Sequence, residues 1–135
     1  MSSGERPTGV PVRRAAVLIV DDQVVFLDLL AELVGATRHL DVAGRAHSGE
    51  QGVELARELR PDMVVMDVWM PGMGGAKAAE QIKTALPSTL VVLVSTTHPD
   101  ELRLRSGGGI ADAVIWKGRL GAELLDGIWR EHRFQ

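Results

Sequence analysis

Residues 62–75 read DMVVMDVWMPGMGG, with one carboxylate, Asp67, at the end of an apolar run. Met63, Val64, Val65 and Met66 precede it, and Val68, Trp69 and Met70 follow. A run this short and this apolar predicts a strand buried on both faces. An ionised carboxylate left unpaired there is costly, so groups from elsewhere in the chain must compensate it. Pro71-Gly72 and Gly74-Gly75 then break the strand and open a loop.

On either side of this stretch, strand and helix alternate. Ala15 to Val20 (AAVLIV) is a first buried strand, stopping at Asp21-Asp22. A helix is predicted from about Gln23 to Ala36, with Phe26, Leu30, Leu33 and Val34 on its inner face. Leu40 to Ala46 is a weaker strand. Ser48 and Gln51 have capping-box spacing for a helix that carries Val53, Ala56 and Leu59 and stops before Pro61. After the opening stretch, a helix from about Gly75 to Leu86 turns Ala79, Ile82 and Leu86 inward and Lys77 and Lys83 outward. Leu90 to Val94 is the fourth strand, ending at Ser95-Thr96-Thr97. A short, poorly specified fourth helix follows, interrupted by Gly107-Gly108-Gly109. Ala111 to Trp116 is the fifth strand, ending at Lys117-Gly118. A last helix, from about Leu120 to His132, carries Leu124, Leu125 and Ile128. Five strand–helix alternations predict an α/β domain, a parallel sheet with helices on both faces.

The chain has 135 residues, enough for one domain with a core of its own. Residues 1–14, rich in Ser, Gly, Pro and charge, are expected to form a disordered arm, leaving residues 15–135 as the domain. A net charge of −3 argues against direct nucleic-acid contact. No run is long enough for a membrane span, the N-terminal residues lack an apolar signal core, and there is no cysteine. That combination fits a cytoplasmic protein.

In an open parallel α/β sheet the C-terminal ends of the strands share one edge, where ligands bind. The residues at those ends are Asp21-Asp22, Asp67, Ser95-Thr96 and Lys117. Clustered carboxylates repel, and a hard divalent cation such as Mg²⁺ resolves the repulsion with oxygen ligands. Lys117 supplies a point charge for a phosphoryl or carboxylate group, and Ser95 a hydroxyl donor. An Asp beside Mg²⁺ and a lysine is equipped to attack phosphorus and form an aspartyl-phosphate.

The set Asp21-Asp22, Asp67-Val68-Trp69-Met70-Pro71-Gly72-Met73, Ser95-Thr96 and Lys117 resembles the receiver domain of two-component response regulators, over residues 15 to 131. The resemblance implies a flavodoxin-like three-layer sandwich with five helices and a sheet of order 2-1-3-4-5. It implies that Asp67 accepts a phosphoryl group from a phosphohistidine on a sensor histidine kinase. Asp22 and Asp67 would bind Mg²⁺ (or Mn²⁺) by side chain, Asp21 mostly through water, and Trp69 by its backbone carbonyl. Ser95 would move toward the phosphoryl oxygens and Lys117 would pair with them. The added charge would bias a surface around the fourth helix, fifth strand and last helix. Thr96 and Thr97 join Trp69 as residues that tune this response. The domain would signal rather than turn over a substrate, with slow autodephosphorylation. A degenerate receiver that only binds protein partners, and a hydrolase with a phosphoryl intermediate, are the alternatives. No stretch after Lys117 resembles a DNA-binding domain, so the output is expected in a further domain or a separate effector, and a second copy of the chain is another candidate partner.

Other motifs fit less well. Gly72-Met73-Gly74-Gly75-Ala76-Lys77 has neither the Walker spacing nor a dinucleotide-binding third glycine. Phosphatases of the haloacid dehalogenase type use a second Asp two residues after the nucleophile, where Trp69 stands. His39, His47, His98 and His132 lack metal-ligand spacing and read as surface residues.

The pattern departs from many receivers in two places. Gly118 follows the lysine where proline is common, so a cis bond is not expected. Val114 occupies the position of a switching aromatic. By strand alternation Trp116 shares its face and is expected to replace that aromatic in part.

Overall fold

The computed structural model describes residues 14–96 and 111–133. Its strands are β1 (Ala15–Val20), β2 (Leu40–Ala46), β3 (Met63–Asp67), β4 (Leu90–Ser95) and β5 (Ala113–Trp116). Its α-helices are α1 (Val24–Gly35), α2 (Gly49–Leu59), α3 (Gly75–Ala85) and α4 (Ala122–Arg133), with a 3-10 turn at Lys117–Arg119. The arm expected over 1–14 falls almost wholly outside the described residues, and the expected fourth helix falls outside them entirely. The C-terminal helix is therefore α4, and four α-helices rather than five are described.

All strand pairs are parallel, in the order β2-β1-β3-β4-β5. This is the flavodoxin-like order. β3 is central, and each of its five residues is buried. Strand alternation divides them between two cores. Val64 and Met66 join Leu18, Val20, Val91 and Leu93 under α2 and α3. Met63 and Val65 join Val17, Ile19, Val92 and Val94 under α1 and α4. A helix layer on each face is what makes the continuous apolar run of β3 favourable.

A local signal sets the start of α2. Ser48 caps α2, its Oγ accepting from the Gln51 amide at 3.1 Å, while Gln51 Oε1 accepts from the His47 amide at 2.6 Å. Lys83 is not simply outward. Its ammonium donates to the Pro87 and Thr89 carbonyls and to Asp112 Oδ2, at 3.1, 2.9 and 3.0 Å. That same Asp112 oxygen accepts from the Val91 amide at 2.8 Å. Asp112 thereby anchors the entry to β5, and the ladder begins at Ala113 rather than at Ala111 as expected.

Two leucines carried by helices lie outside the core, and one histidine read as a surface residue has a partner. Leu59, the last residue of α2, is 40% exposed and covers Gly44. On α4, Leu125 faces the core and is buried, whereas Leu124, one residue earlier and about 100° round the helix, is exposed. His39 is not a simple surface residue: its Nδ1 lies 2.8 Å from Asp126 Oδ1 on α4, which also pairs with Arg130. Trp129 packs against the α1/α4 core.

Candidate functional site

The C-terminal edge of the sheet brings the strand-end residues together. Asp67 ends β3, opposite Val94 of β4. Ser95 ends β4, opposite Trp116. β1 runs into Asp21, which is fully buried, whereas Asp22 is exposed. Asp21 also serves the turn: its Oδ1 accepts from the Gln23 amide at 2.9 Å, just ahead of α1. A helix-entry role is therefore part of its function here.

Lys117 crosses from the end of β5 into this acidic edge. Its ammonium lies 3.4 Å from Asp21 Oδ2 and 3.4 Å from Asp67 Oδ1. Its side chain is 16% exposed and that of Asp67 8%, so the ion pairs are shielded from bulk water. The ammonium also sits over the Phe26 ring, 3.9 Å from the centroid. That contact was not read from the sequence, where Phe26 is only one apolar residue among several on α1.

One ammonium does not offset three carboxylates. Oxygen atoms of Asp21, Asp22 and Asp67 lie within 4.8 Å of one another. Burial, reinforced by Asp21, pushes the Asp67 carboxyl up to about 6, with Lys117 pulling the other way. Asp21 is also raised, chiefly by burial, with the Gln23 amide and Lys117 opposing. An all-oxygen donor set carrying excess negative charge fits a hard divalent cation.

The loop after Asp67 is fastened on two sides. Gly72 and Gly74 adopt φ of +81° and +80°, the left-handed region that glycine tolerates. The Met73 amide donates to Glu50 Oε2 of α2 at 3.3 Å. The Gly75 amide donates to the Val68 carbonyl at 2.8 Å, seating α3 against the end of β3. Trp69 projects from this loop, 45% exposed. Glu50 carried no sequence signal for this role beyond its place in the first turn of α2.

Of the other predicted residues, Ser95 is fully buried and Thr96 exposed. Thr97 lies outside the described residues. Val114 and Trp116 do share a face, and both are exposed while Ile115 between them is buried. The Trp116 indole donates to the Thr96 carbonyl at 3.2 Å. A Cβ on Gly118 would lie 2.8 to 3.0 Å from the indole ring, so Gly118 lets Trp116 lie across the Lys117 turn. No cis peptide occurs among the described residues.

The family model for the response regulator receiver domain matches residues 17–127. The chain belongs to this family. The receiver is 36% identical over 112 residues to the response regulator GacA of Pseudomonas viridiflava, covering 83% of this chain and 52% of that protein. It is 32% identical over the same length to the uncharacterized transcriptional regulatory protein YxjL of Bacillus subtilis, covering 83% and 51%. The receiver thus spans about half the length of these curated relatives. In fold it is similar to the signal receiver domain of the putative response regulator NarL from Mycobacterium tuberculosis, with a TM-score of 0.80 at 23% identity, covering 91% of this chain and 99% of that one. No helix among the described residues is long and apolar enough to cross a membrane.

Proposed function

We propose that residues 15–135 form a phosphorylatable receiver in which Asp67 accepts a phosphoryl group from a sensor histidine kinase. The observation that carries the reading is the meeting of Asp21, Asp22, Asp67 and Lys117 at one strand edge, with the ammonium 3.4 Å from two carboxylates. Asp67 attacks phosphorus, and a P–O bond forms as the P–N bond of the phosphohistidine breaks. The bond pair stays on the imidazole, which takes up a proton. Asp22, Asp67 and the Trp69 carbonyl would hold Mg²⁺ (or Mn²⁺), with Asp21 acting mainly through water. The ion supplies charge neutralisation for carboxylate and phosphoryl oxygens. Lys117 orients the phosphoryl oxygens, and the Ser95 hydroxyl meets them from β4. Water later attacks phosphorus, releasing inorganic phosphate and restoring the carboxylate.

The output reaches a further domain of the same protein or a separate effector in the cytoplasm. Regulation of transcription suits the description of YxjL and the greater length of both relatives. Trp116 relays the change outward, since its indole touches both the Thr96 carbonyl and the Lys117 turn. Incubation with Mg²⁺ and acetyl phosphate should give a phosphoryl adduct by intact mass that Asp67→Ala lacks. In a Trp69→Phe, Trp129→Phe background, Trp116 fluorescence should change with the adduct. Absence of any adduct, including from a cognate kinase, would favour the protein-binding module; continuous phosphate release would favour a hydrolase.

Trp69, two residues after Asp67, carries an exposed bulky indole, and on this reading it hinders the hydrolytic water. Trp69→Asn is expected to change the half-life of the adduct severalfold or more. An unchanged decay in a gel-shift time course would remove Trp69 from this role.

A further inference from the structure

Phe26 lies on α1 four residues after Asp22. Helical side chains lean toward the helix N-terminus, and the N-terminus of α1 faces the acidic edge. The ring is therefore directed back toward the site and meets the Lys117 ammonium at 3.9 Å from its centroid. Asp21 and Asp67 hold the same ammonium at 3.4 Å each. The nitrogen is thus bounded by two anions and one aromatic face.

We propose that Phe26 is a positioning residue for phosphoryl transfer, holding the Lys117 ammonium over its ring so that the N–H donors point at Asp67 and at the phosphoryl group it receives. The inference rests on the reading of Asp67 as acceptor and adds a group from outside the strand ends. A lysine reaching across an acidic cleft has many rotamers, and two carboxylates alone do not select one. A π face attracts the cation without consuming an N–H, and it occupies a flank where water would otherwise compete. A carboxylate or hydroxyl in that place would bind the donors that the phosphoryl oxygens need. Because Phe26 belongs to α1, movement of that helix also displaces the ammonium.

The test separates the ring's electrons from its bulk. Phe26→Leu keeps an apolar side chain and removes the π face, whereas Phe26→Tyr keeps the face. Incorporation of mono- and trifluorophenylalanine at position 26 drains the face stepwise at nearly constant size. Three readouts are used on the full chain: the ring-current shift of the Lys117 ε-methylene protons, the initial rate of phosphoryl uptake from acetyl phosphate with Mg²⁺, and the urea midpoint. In Phe26→Leu the upfield shift should vanish and uptake should slow about three- to tenfold. Phe26→Tyr should restore most of the rate, and fluorination should lower it in steps while the urea midpoint holds. Wild-type uptake in Phe26→Leu, or rates that follow the urea midpoint instead of fluorination, would overturn the proposal. With an adduct on wild type, such a result counts against Phe26 alone; no adduct on wild type from any donor overturns the acceptor reading and this one with it.

Discussion

Without Mg²⁺ at pH 8, Asp67→Asn is expected to be more stable than the wild type by about 2–3 kcal/mol in urea unfolding. The sign follows from the raised carboxyl. Burial and Asp21 push Asp67 from its ordinary 3.8 up to about 6 in the folded protein. Between about pH 4 and about pH 6 the folded state therefore holds a proton that the unfolded state has released. Stability falls as pH rises across that window, and the full cost of the ionised carboxylate is present above it. Below about pH 4 the carboxyl is protonated in both states, so wild type and Asp67→Asn should converge. The amide also removes the repulsion between Asp67 and the buried Asp21. The Lys117 pair opposes the rise, and its pull is already contained in the value of about 6.

Millimolar Mg²⁺ should narrow or invert the difference. An ion that binds only the folded state stabilises it by mass action, and the wild type offers the fuller donor set. An Asp67→Asn protein less stable than wild type at pH 8 without Mg²⁺ would show that Lys117 already compensates the carboxylate in full. It would also remove the electrostatic case for a resident cation.

The chemistry of the edge was more legible in the sequence than the means of holding it. Strand-end positions follow from period and alternation, so Asp21, Asp67, Ser95 and Lys117 were recoverable from the run lengths alone. The strand order came from the family resemblance, because βα alternation does not say on which side of β1 the second strand lies. Side-chain pairings between distant segments left no local trace. His39 and Asp126 are 87 positions apart in sequence, and neither is distinguished by its neighbours. Phe26 has the spacing of an ordinary core residue, and nothing in that spacing indicates a cation on its outer flank. Val114 and Trp116 were placed on one face by the two-residue period, and the indole's bond to Thr96 is then a matter of reach. In the sequence Gly118 stands out only as the residue in place of a common proline, yet its missing side chain makes room for the Trp116 ring.

Gly75→Ala should be among the most damaging single substitutions outside the acidic residues. In sequence Gly75 reads as one more turn glycine. In the fold it is the first residue of α3, buried against the end of β3. An added Cβ would collide with the Asp67 carbonyl oxygen and would lie 2.8 Å from Val68 Cα and 3.0 Å from the Asp67 carbonyl carbon. All three are backbone atoms, so no side chain can rotate away. Either α3 lifts from the sheet, breaking the 2.8 Å bond from the Gly75 amide to the Val68 carbonyl, or the end of β3 shifts. Overpacking of this kind costs roughly 1–3 kcal/mol, and rigid partners favour the upper part of that range. The displaced atoms belong to Asp67 itself, so adduct formation should fall further than stability does. Gly127→Ala is the matched control. It lies within α4 with nothing within 4 Å of an added Cβ, and should gain up to about 1 kcal/mol of helix stability. Urea midpoints and intact-mass adduct yields on the two variants settle the matter. If Gly75→Ala matches the wild type in both, α3 does not sit against the end of β3 as closely as the Gly75–Val68 bond requires.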